Sequence, residues 1–188
     1  MTFFDIDRQL IEWINNNRIT SLDIVFIFLT KCATIVSIAI AILVLLYGFY
    51  KKDQLFKIRG WQLVAALAMN SIIVNILKYS INRVRPFVHD PLIHKLSTGG
   101  SPSFPSGHTA DAFVIVVTVS MLFKDKNGWV FLVWIWACAI AYSRIALGVH
   151  YPSDVLGGML VGAFNAYLVQ HLFNRRKLMN ISQKIEES

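Results

Sequence analysis

Charge is scarce in this 188-residue chain: Asp, Glu, Lys and Arg together make up 15% of it, against the usual quarter or so of a soluble domain. Apolar residues reach 55% and the mean hydropathy is +0.54, which excludes a disordered, highly solvated polymer and points to a membrane protein. Cysteine is nearly absent. Cys32 and Cys138 each sit inside an apolar run, so neither a disulfide framework nor a thiolate zinc cluster can be built from them. There is no internal repeat and no low-complexity tract, and at roughly 150 residues per domain the chain reads as one unit, 1–188. Acidic residues are the rarer charge, 11 against 18 Lys and Arg, a net +7. Such a surplus suits nucleic acid, anionic lipid or an anionic substrate, and its placement decides among them.

The longest uncharged stretch, 32–50, rises about 1.5 Å per residue as helix and nearly crosses a hydrocarbon layer of roughly 30 Å. Residues 60–77 form a second run, flanked by Lys57, Arg59 and Lys78. Runs at 112–123, 128–142 and 155–170 are shorter and span only if the polar residues beside them continue the helices. The first 18 residues are different. Phe3, Ile6, Leu10 and Trp13 recur at steps of three and four, with Asp5, Arg8, Glu12 and Asn15 on other faces. This segment lacks the cationic start and long apolar centre of a secretory signal and reads as an amphipathic helix lying along the membrane surface. The expected fold is therefore an all-α polytopic bundle of about five transmembrane helices plus that interfacial helix, with six spans as the alternative. The open point is whether residues 22–29 prolong the first span or stand apart from it.

Five antiparallel spans put residues 50–59, 124–128 and the tail 174–188 on one side. That side collects Lys51, Lys52, Lys57, Arg59, Lys124, Lys126, Arg175, Arg176, Lys177 and Lys184, so it is assigned to the cytoplasm. The basic surplus then serves topology and headgroup contact, and no nucleic-acid partner is called for. The loop 82–105 and the turn 144–154 face outward. The loop holds Pro86, Pro91, Gly99, Gly100, Pro102 and Pro105, and a loop of this length in a small domain commonly carries function.

Three polar clusters interrupt the apolar pattern. Lys78 closes the second run, and Arg85 follows it by seven residues, immediately before Pro86, which biases it out of helix. Pro105, Ser106, Gly107 and His108 open the third run. Unpaired amides at a helix start favour an anion, Gly107 allows a close approach, and Ser106 adds a hydroxyl or caps the helix. Between the last two runs come Ser143, Arg144, His150 and Asp154. Arg144 suits a pair of phosphoryl oxygens, and a carboxylate near His150 can fix its tautomer. Each cluster alone fits a bland account, namely snorkelling cations or ordinary helix caps. Counting brings them together. His108 to Lys124 and Gly128 to Arg144 each advance 16 positions, about 24 Å of helix at 1.5 Å per residue, so the chain leaves one membrane face and returns to it.

Together these clusters resemble the three-part signature of the type-2 phosphatidic acid phosphatase superfamily, over residues 78–154 and with no charged member missing. The resemblance implies an all-α membrane bundle that removes phosphate from lipid phosphates or diphosphates without a metal or other cofactor. It further implies that His150 attacks phosphorus to form a phosphohistidine, that Asp154 orients the ring, and that His108 protonates the leaving oxygen and then assists water. Lys78, Arg85, Ser106, Gly107 and Arg144 would cradle the nonbridging oxygens. Removing one such donor typically costs on the order of 3 kcal/mol in the barrier. Small integral members of the family act on undecaprenyl diphosphate, phosphatidylglycerol phosphate or phosphatidic acid. The compact size and the 86–105 loop most resemble the undecaprenyl diphosphate group.

Competing readings are a metal enzyme built on His108, His150 and Asp154, which the three neighbouring cations oppose, and a non-hydrolytic lipid transporter or lipid-binding protein, which gives no reason for two histidines with an acid partner. The same residue pattern recurs in vanadate-dependent haloperoxidases, a chemistry that the short membrane-spanning chain argues against. Asp111, three residues after His108, reads either as an orienter of that ring or as a polar residue at the mouth. His89 and His94 fall in the outward loop as surface residues, and His171 falls on the tail side. The membrane lipid and the bilayer are the expected partners.

Overall fold

The computed structural model of the chain describes residues 2–122 and 127–186, with side chains described except at 3, 127 and 176–186. Lys124 and Lys126 lie outside the described residues, as do the last two residues of the tail. Among the described residues every regular element is helical. In chain order these are α1 (Phe3–Asn16), a short 3-10 turn (Thr20–Leu22), α2 (Asp23–Tyr50), α3 (Gln54–Ile81), α4 (Pro86–His89), α5 (Gly107–Leu122), α6 (Asn127–Ala146) and α7 (Pro152–Glu186). Among the described residues four segments are long and apolar enough to cross a bilayer: Thr20–Tyr50, Gln54–His89, Gly128–Ala146 and Pro152–Arg175.

The apolar helix Gly107–Leu122 is shorter, and it is the central one: α2, α3, α6 and α7 all pack on it, and most of its side chains are buried. The polar motif residues do continue the helices. Gly107 and His108 form the first turn of α5, Arg144 lies in the last turn of α6, and Asp154 lies in the first turn of α7. Residues 22–29 prolong the first span, because α2 runs unbroken from Asp23.

Local chemistry sets the ends. Asp53 caps α3 by accepting from the Leu55 and Phe56 amides, and Asn82 ends it in the left-handed conformation, φ 47°. Arg85 is extended ahead of Pro86, which then begins α4. Helices α5 and α7 approach each other closely. A Cβ on Gly158 would lie 2.6 Å from the Ser106 carbonyl oxygen, and one on Gly162 would lie 2.3 Å from that of Ala110. Two glycines four residues apart therefore let the backbones touch, as small residues do in membrane bundles. This contact clamps the start of α5 against the start of α7, and the Ser106 amide donates to the Asp154 carbonyl at 2.9 Å.

Helix α1 is amphipathic as expected, with Thr2 and Asp5 forming a capping box. It lies across the ends of α6 and α7, beside the turn that joins them. Its stripe of Ile6, Leu10 and Trp13 is exposed, and Phe4 beside it is exposed with its ring near the Arg83 guanidinium. The opposite face, Asp7, Ile11 and Asn15, is buried. Ile11 packs on Ile93 and Tyr151, while Asn15 donates to the Ala146 and His94 carbonyls and accepts from the His94 amide. Asn15, grouped with the polar faces in the sequence, is an interior residue. The carbonyls it satisfies, one at the end of α6 and one in the loop after α4, lie far away along the chain, and the apolar stripe is left for lipid.

Candidate active site

The end of α3 brings the first cation. Lys78 is buried and its Nζ donates to the Pro102 carbonyl at 2.6 Å. The chain then turns at Asn82, and the extended backbone before Pro86 aims Arg85 back under the loop that follows α4. Its Nε donates to the Ser101 carbonyl and its Nη1 to the Val149 carbonyl, both at 2.7 Å. Lys78 and Arg85 thus converge through a reversal of the chain. An ammonium carries three donors and a guanidinium five, so both retain donors for a ligand.

Arg144, 2% exposed, comes from the end of α6 and bonds the Thr30 hydroxyl, with the Thr98 carbonyl at 3.5 Å. The turn after it carries His150, also 2% exposed. Its Nε2 lies 3.4 Å from Arg85 Nη1, and its Nδ1 lies 3.5 Å from Asp154 Oδ2. Asp154 is fully buried and heavily held: Oδ1 accepts from Arg83 at 2.7 Å, and Oδ2 accepts from the Tyr151 amide at 2.9 Å and from the Ser103 hydroxyl. Asp154 therefore closes the turn into α7 and faces the His150 ring with the same carboxylate. Burial pushes His150 down to about 3. The Asp154 contact opposes that shift, and the Arg144 and Arg85 charges add to it.

These groups enclose a pocket of about 350 Å³, lined by Lys78, Arg85, Gly107, His108, Arg144 and His150 among others. Six of the eight residues named from the sequence meet there. Asp154 stands behind His150. Ser106 is buried beside the pocket, its hydroxyl 2.9 Å from that of Thr109 at the start of α5. A Cβ on Gly107 would meet only Val74, at an ordinary 3.7 Å, so packing leaves this glycine free for a ligand to approach.

Asp111 lies on the pocket wall, but its oxygens accept from Asn70 at 2.9 Å and Thr34 at 3.1 Å. Asn70 in turn accepts from Asn165 at 3.0 Å. His89 and His94 are exposed and outside the pocket lining, and His171 stacks on Tyr167 along α7. Among the described residues no three His, Cys, Asp or Glu side chains group as metal ligands.

Several residues of the site went unmarked in the sequence. Arg83 lies between Lys78 and Arg85, yet it turns away from the pocket to Asp154, Ser153 and Asp7. Ser103 bonds Asp154 and Thr30 bonds Arg144 across long stretches of chain. A cation in the 78–85 run was the only signal for Arg83, and nothing local points to Asp7.

Residues 59–178 match the PAP2 superfamily. A lipid A 4'-phosphatase of Porphyromonas gingivalis is 29% identical over 177 residues, covering 90% of this chain and 73% of that protein. The undecaprenyl-diphosphatase BcrC of Bacillus subtilis is 30% identical over 148 residues, covering 78% and 72%. The crystal structure of a transmembrane PAP2-type phosphatidylglycerolphosphate phosphatase from Bacillus subtilis shares the fold, with a TM-score of 0.76 at 24% identity over 91% of this chain and 86% of that one. A helical membrane bundle, a cationic pocket between its helix ends and a family match over most of the chain lead to one conclusion: the chain belongs to the PAP2 superfamily and is one of its multi-pass membrane lipid phosphatases.

Proposed function

We propose that this phosphatase hydrolyses undecaprenyl diphosphate through a phosphohistidine at His150, without a metal, in a site open to the extracytoplasmic face. The observation that carries the mechanism is the setting of His150. Its Nε2 faces the cationic pocket beside Arg85, while its Nδ1 faces Asp154. A neutral imidazole so placed keeps the Nε2 lone pair for phosphorus. The N–P bond forms as the P–O bond to the lipid-borne leaving group breaks, and that oxygen takes the electron pair and a proton from His108. His108 then takes a proton from water as the water oxygen attacks phosphorus, which releases inorganic phosphate and returns His150. Lys78, Arg85 and Arg144, with the Gly107 amide and Ser106 at the start of α5, serve the nonbridging oxygens through charge that is already oriented.

A long-chain substrate is supported by a second cavity of about 410 Å³ between α2 and α3, lined mostly by apolar side chains including Ile38, Ile42, Val64 and Leu67. It shares Thr34, Ser71 and Asp111 with the phosphate pocket, so a chain attached to a bound phosphate has a path along the bundle. The orientation is supported by Lys51, Lys52 and Lys57, which lie at the α2–α3 turn, at the far end of these helices from the pocket. A lipid A phosphate is the second reading, favoured by the relative matched over 90% of this chain.

The test is phosphate release by the purified protein in detergent from undecaprenyl diphosphate, phosphatidylglycerol phosphate, phosphatidic acid and lipid A, with and without exhaustive chelation. Undecaprenyl diphosphate is expected to give the highest kcat/KM, unchanged by chelator. His150→Ala is expected to form no phosphoenzyme, and His108→Ala is expected to accumulate one with a good leaving group. Full turnover by His150→Ala would remove it as the nucleophile.

A further inference from the structure

A second carboxylate stands behind Asp154. Arg83 bridges the two: its Nη1 donates to Asp154 Oδ1 at 2.7 Å and its Nη2 to Asp7 Oδ2 at 2.6 Å. Ser153 completes the knot. Its amide donates to Asp7 Oδ1 at 2.9 Å, its hydroxyl donates to Asp7 Oδ2, and it also accepts from Arg83 Nη1 at 2.6 Å. The Arg83 guanidinium lies over the Tyr151 ring, 4.0 Å from its centroid. Both acids are buried, and Asp7 belongs to α1, outside the matched residues 59–178.

The electrostatics give this arrangement a purpose. The ring of an imidazole phosphorylated at Nε2 and protonated at Nδ1 carries a positive charge, apart from its anionic phosphoryl group, and it forms beside Lys78, Arg85 and Arg144. Asp154 is the negative charge that faces it. An arginine bonded to Asp154 would cancel that charge: minus one plus one leaves nothing. With Asp7 added, the Asp7–Arg83–Asp154 set carries minus one overall, and the guanidinium still holds Asp154 Oδ1 in place. Arg83 thereby supplies geometry, and Asp7 offsets its electrostatic cost.

We infer that Asp7 is a positioning residue for turnover: docked on Arg83, it preserves the net negative charge behind His150 and couples the seating of α1 to the chemistry. This rests on the assignment of His150 as the phosphate acceptor. A purely structural knot and a charge balance make different demands on the same side chains. Asp7→Asn keeps the volume and removes the charge together with one acceptor oxygen, leaving Arg83 uncompensated. Adding Arg83→Gln removes the stranded cation as well.

The experiment measures kcat, KM and detergent melting temperature for wild type, Asp7→Asn and Asp7→Asn/Arg83→Gln, on the lipid phosphate that wild type turns over fastest. Asp7→Asn is expected to lower kcat by more than about tenfold with KM within about threefold, as for a buried charge left unpaired in the transition state. The double variant is expected to be faster than Asp7→Asn and to lie within about tenfold of wild type. A kcat for Asp7→Asn within tenfold of wild type, or a double variant no faster than the single, overturns the inference. Should Asp7→Asn not fold, the double variant alone decides, and a rate more than tenfold below wild type overturns it. His150→Ala and wild type assayed in parallel report on the parent assignment. A wild type that forms no phosphoenzyme removes both readings, whereas a phosphorylated wild type with an indifferent Asp7→Asn removes only this one.

Discussion

His150 Nε2 lies 3.4 Å from an Arg85 guanidinium nitrogen, and this contact fixes which ring nitrogen faces the pocket. A guanidinium offers only donors, so the nitrogen beside it is the lone-pair nitrogen and the ring proton belongs on Nδ1, toward Asp154. Burial is the main reason the ring stays neutral, and it holds His150 down to about 3. A histidine with that depressed value is uncharged at every pH above it, so the neutral form persists through the range in which an ordinary histidine titrates. With selectively labelled histidine, the His150 ring is expected to keep the neutral Nδ1–H signature from pH 8 to 5. A midpoint near 6.5 would contradict this.

The α2–α3 cavity makes a prediction about chain length. Ala68 lines it and is exposed, so Ala68→Trp is expected to fill space without disturbing the core. Burial of a CH₂ group contributes about 0.8 kcal/mol, so losing contact with even two such groups would raise KM about tenfold for a long-chain lipid phosphate. A short-chain phosphate that does not reach the cavity should be unaffected. Equal effects on both substrates would place the chain elsewhere.

Asp111 ties three helices together through Asn70 and Thr34, and its carboxylate is not bonded to His108. Asp111→Ala strips Asn70 and Thr34 of their acceptor and is expected to cost about 1–3 kcal/mol of stability, read as a lower melting temperature in detergent. Turnover below that temperature should stay within about threefold of wild type, since no step of the reaction passes through this side chain. A large loss of kcat with unchanged stability would instead support its reading as an orienter of His108.

Gly162 tests the α5–α7 clamp. A methyl group there would meet the Ala110 carbonyl oxygen at 2.3 Å, a contact with backbone that no side-chain rotation relieves. Gly162→Ala is expected to cost at least about 1–3 kcal/mol as the helices part. It should also lower kcat, because Ser106 and Asp154 are joined across the same contact. Wild-type stability in this variant would mean that the two helices have room to spare.

The parts legible in the chain were those written in local chemistry. Apolar runs, with proline, glycine and caps between them, marked the helices. The polar residues at their ends marked Lys78, Arg85, His108, Arg144, His150 and Asp154, because charge beside a membrane span is expensive and stands out. Residues 22–29 were ambiguous because Asp23 and Lys31 interrupt the run, although a helix accepts both near its wet end. Arg83 was overlooked because it looks like its two neighbours until the turn at Asn82 sends it the other way. Asn15 looked like the polar face of a surface helix and Asp7 drew no notice, since amphipathic spacing reveals that a helix has two faces and not which of them meets protein.

Composition, hydropathy and the spacing of the motifs by themselves determined a helical membrane protein with a cationic rim made from three segments. These depend on transfer free energy and helical rise, which are properties of neighbouring residues. Tertiary structure alone decided which groups stand behind that rim: Arg83 and Ser103 on Asp154, Thr30 on Arg144, and Asp7 at the end of the ion-pair chain. Such partners lie tens of residues apart in sequence. The close approach of α5 to α7, the packing of α2 on α6 and the seating of α1 across the ends of α6 and α7 bring them within hydrogen-bonding distance.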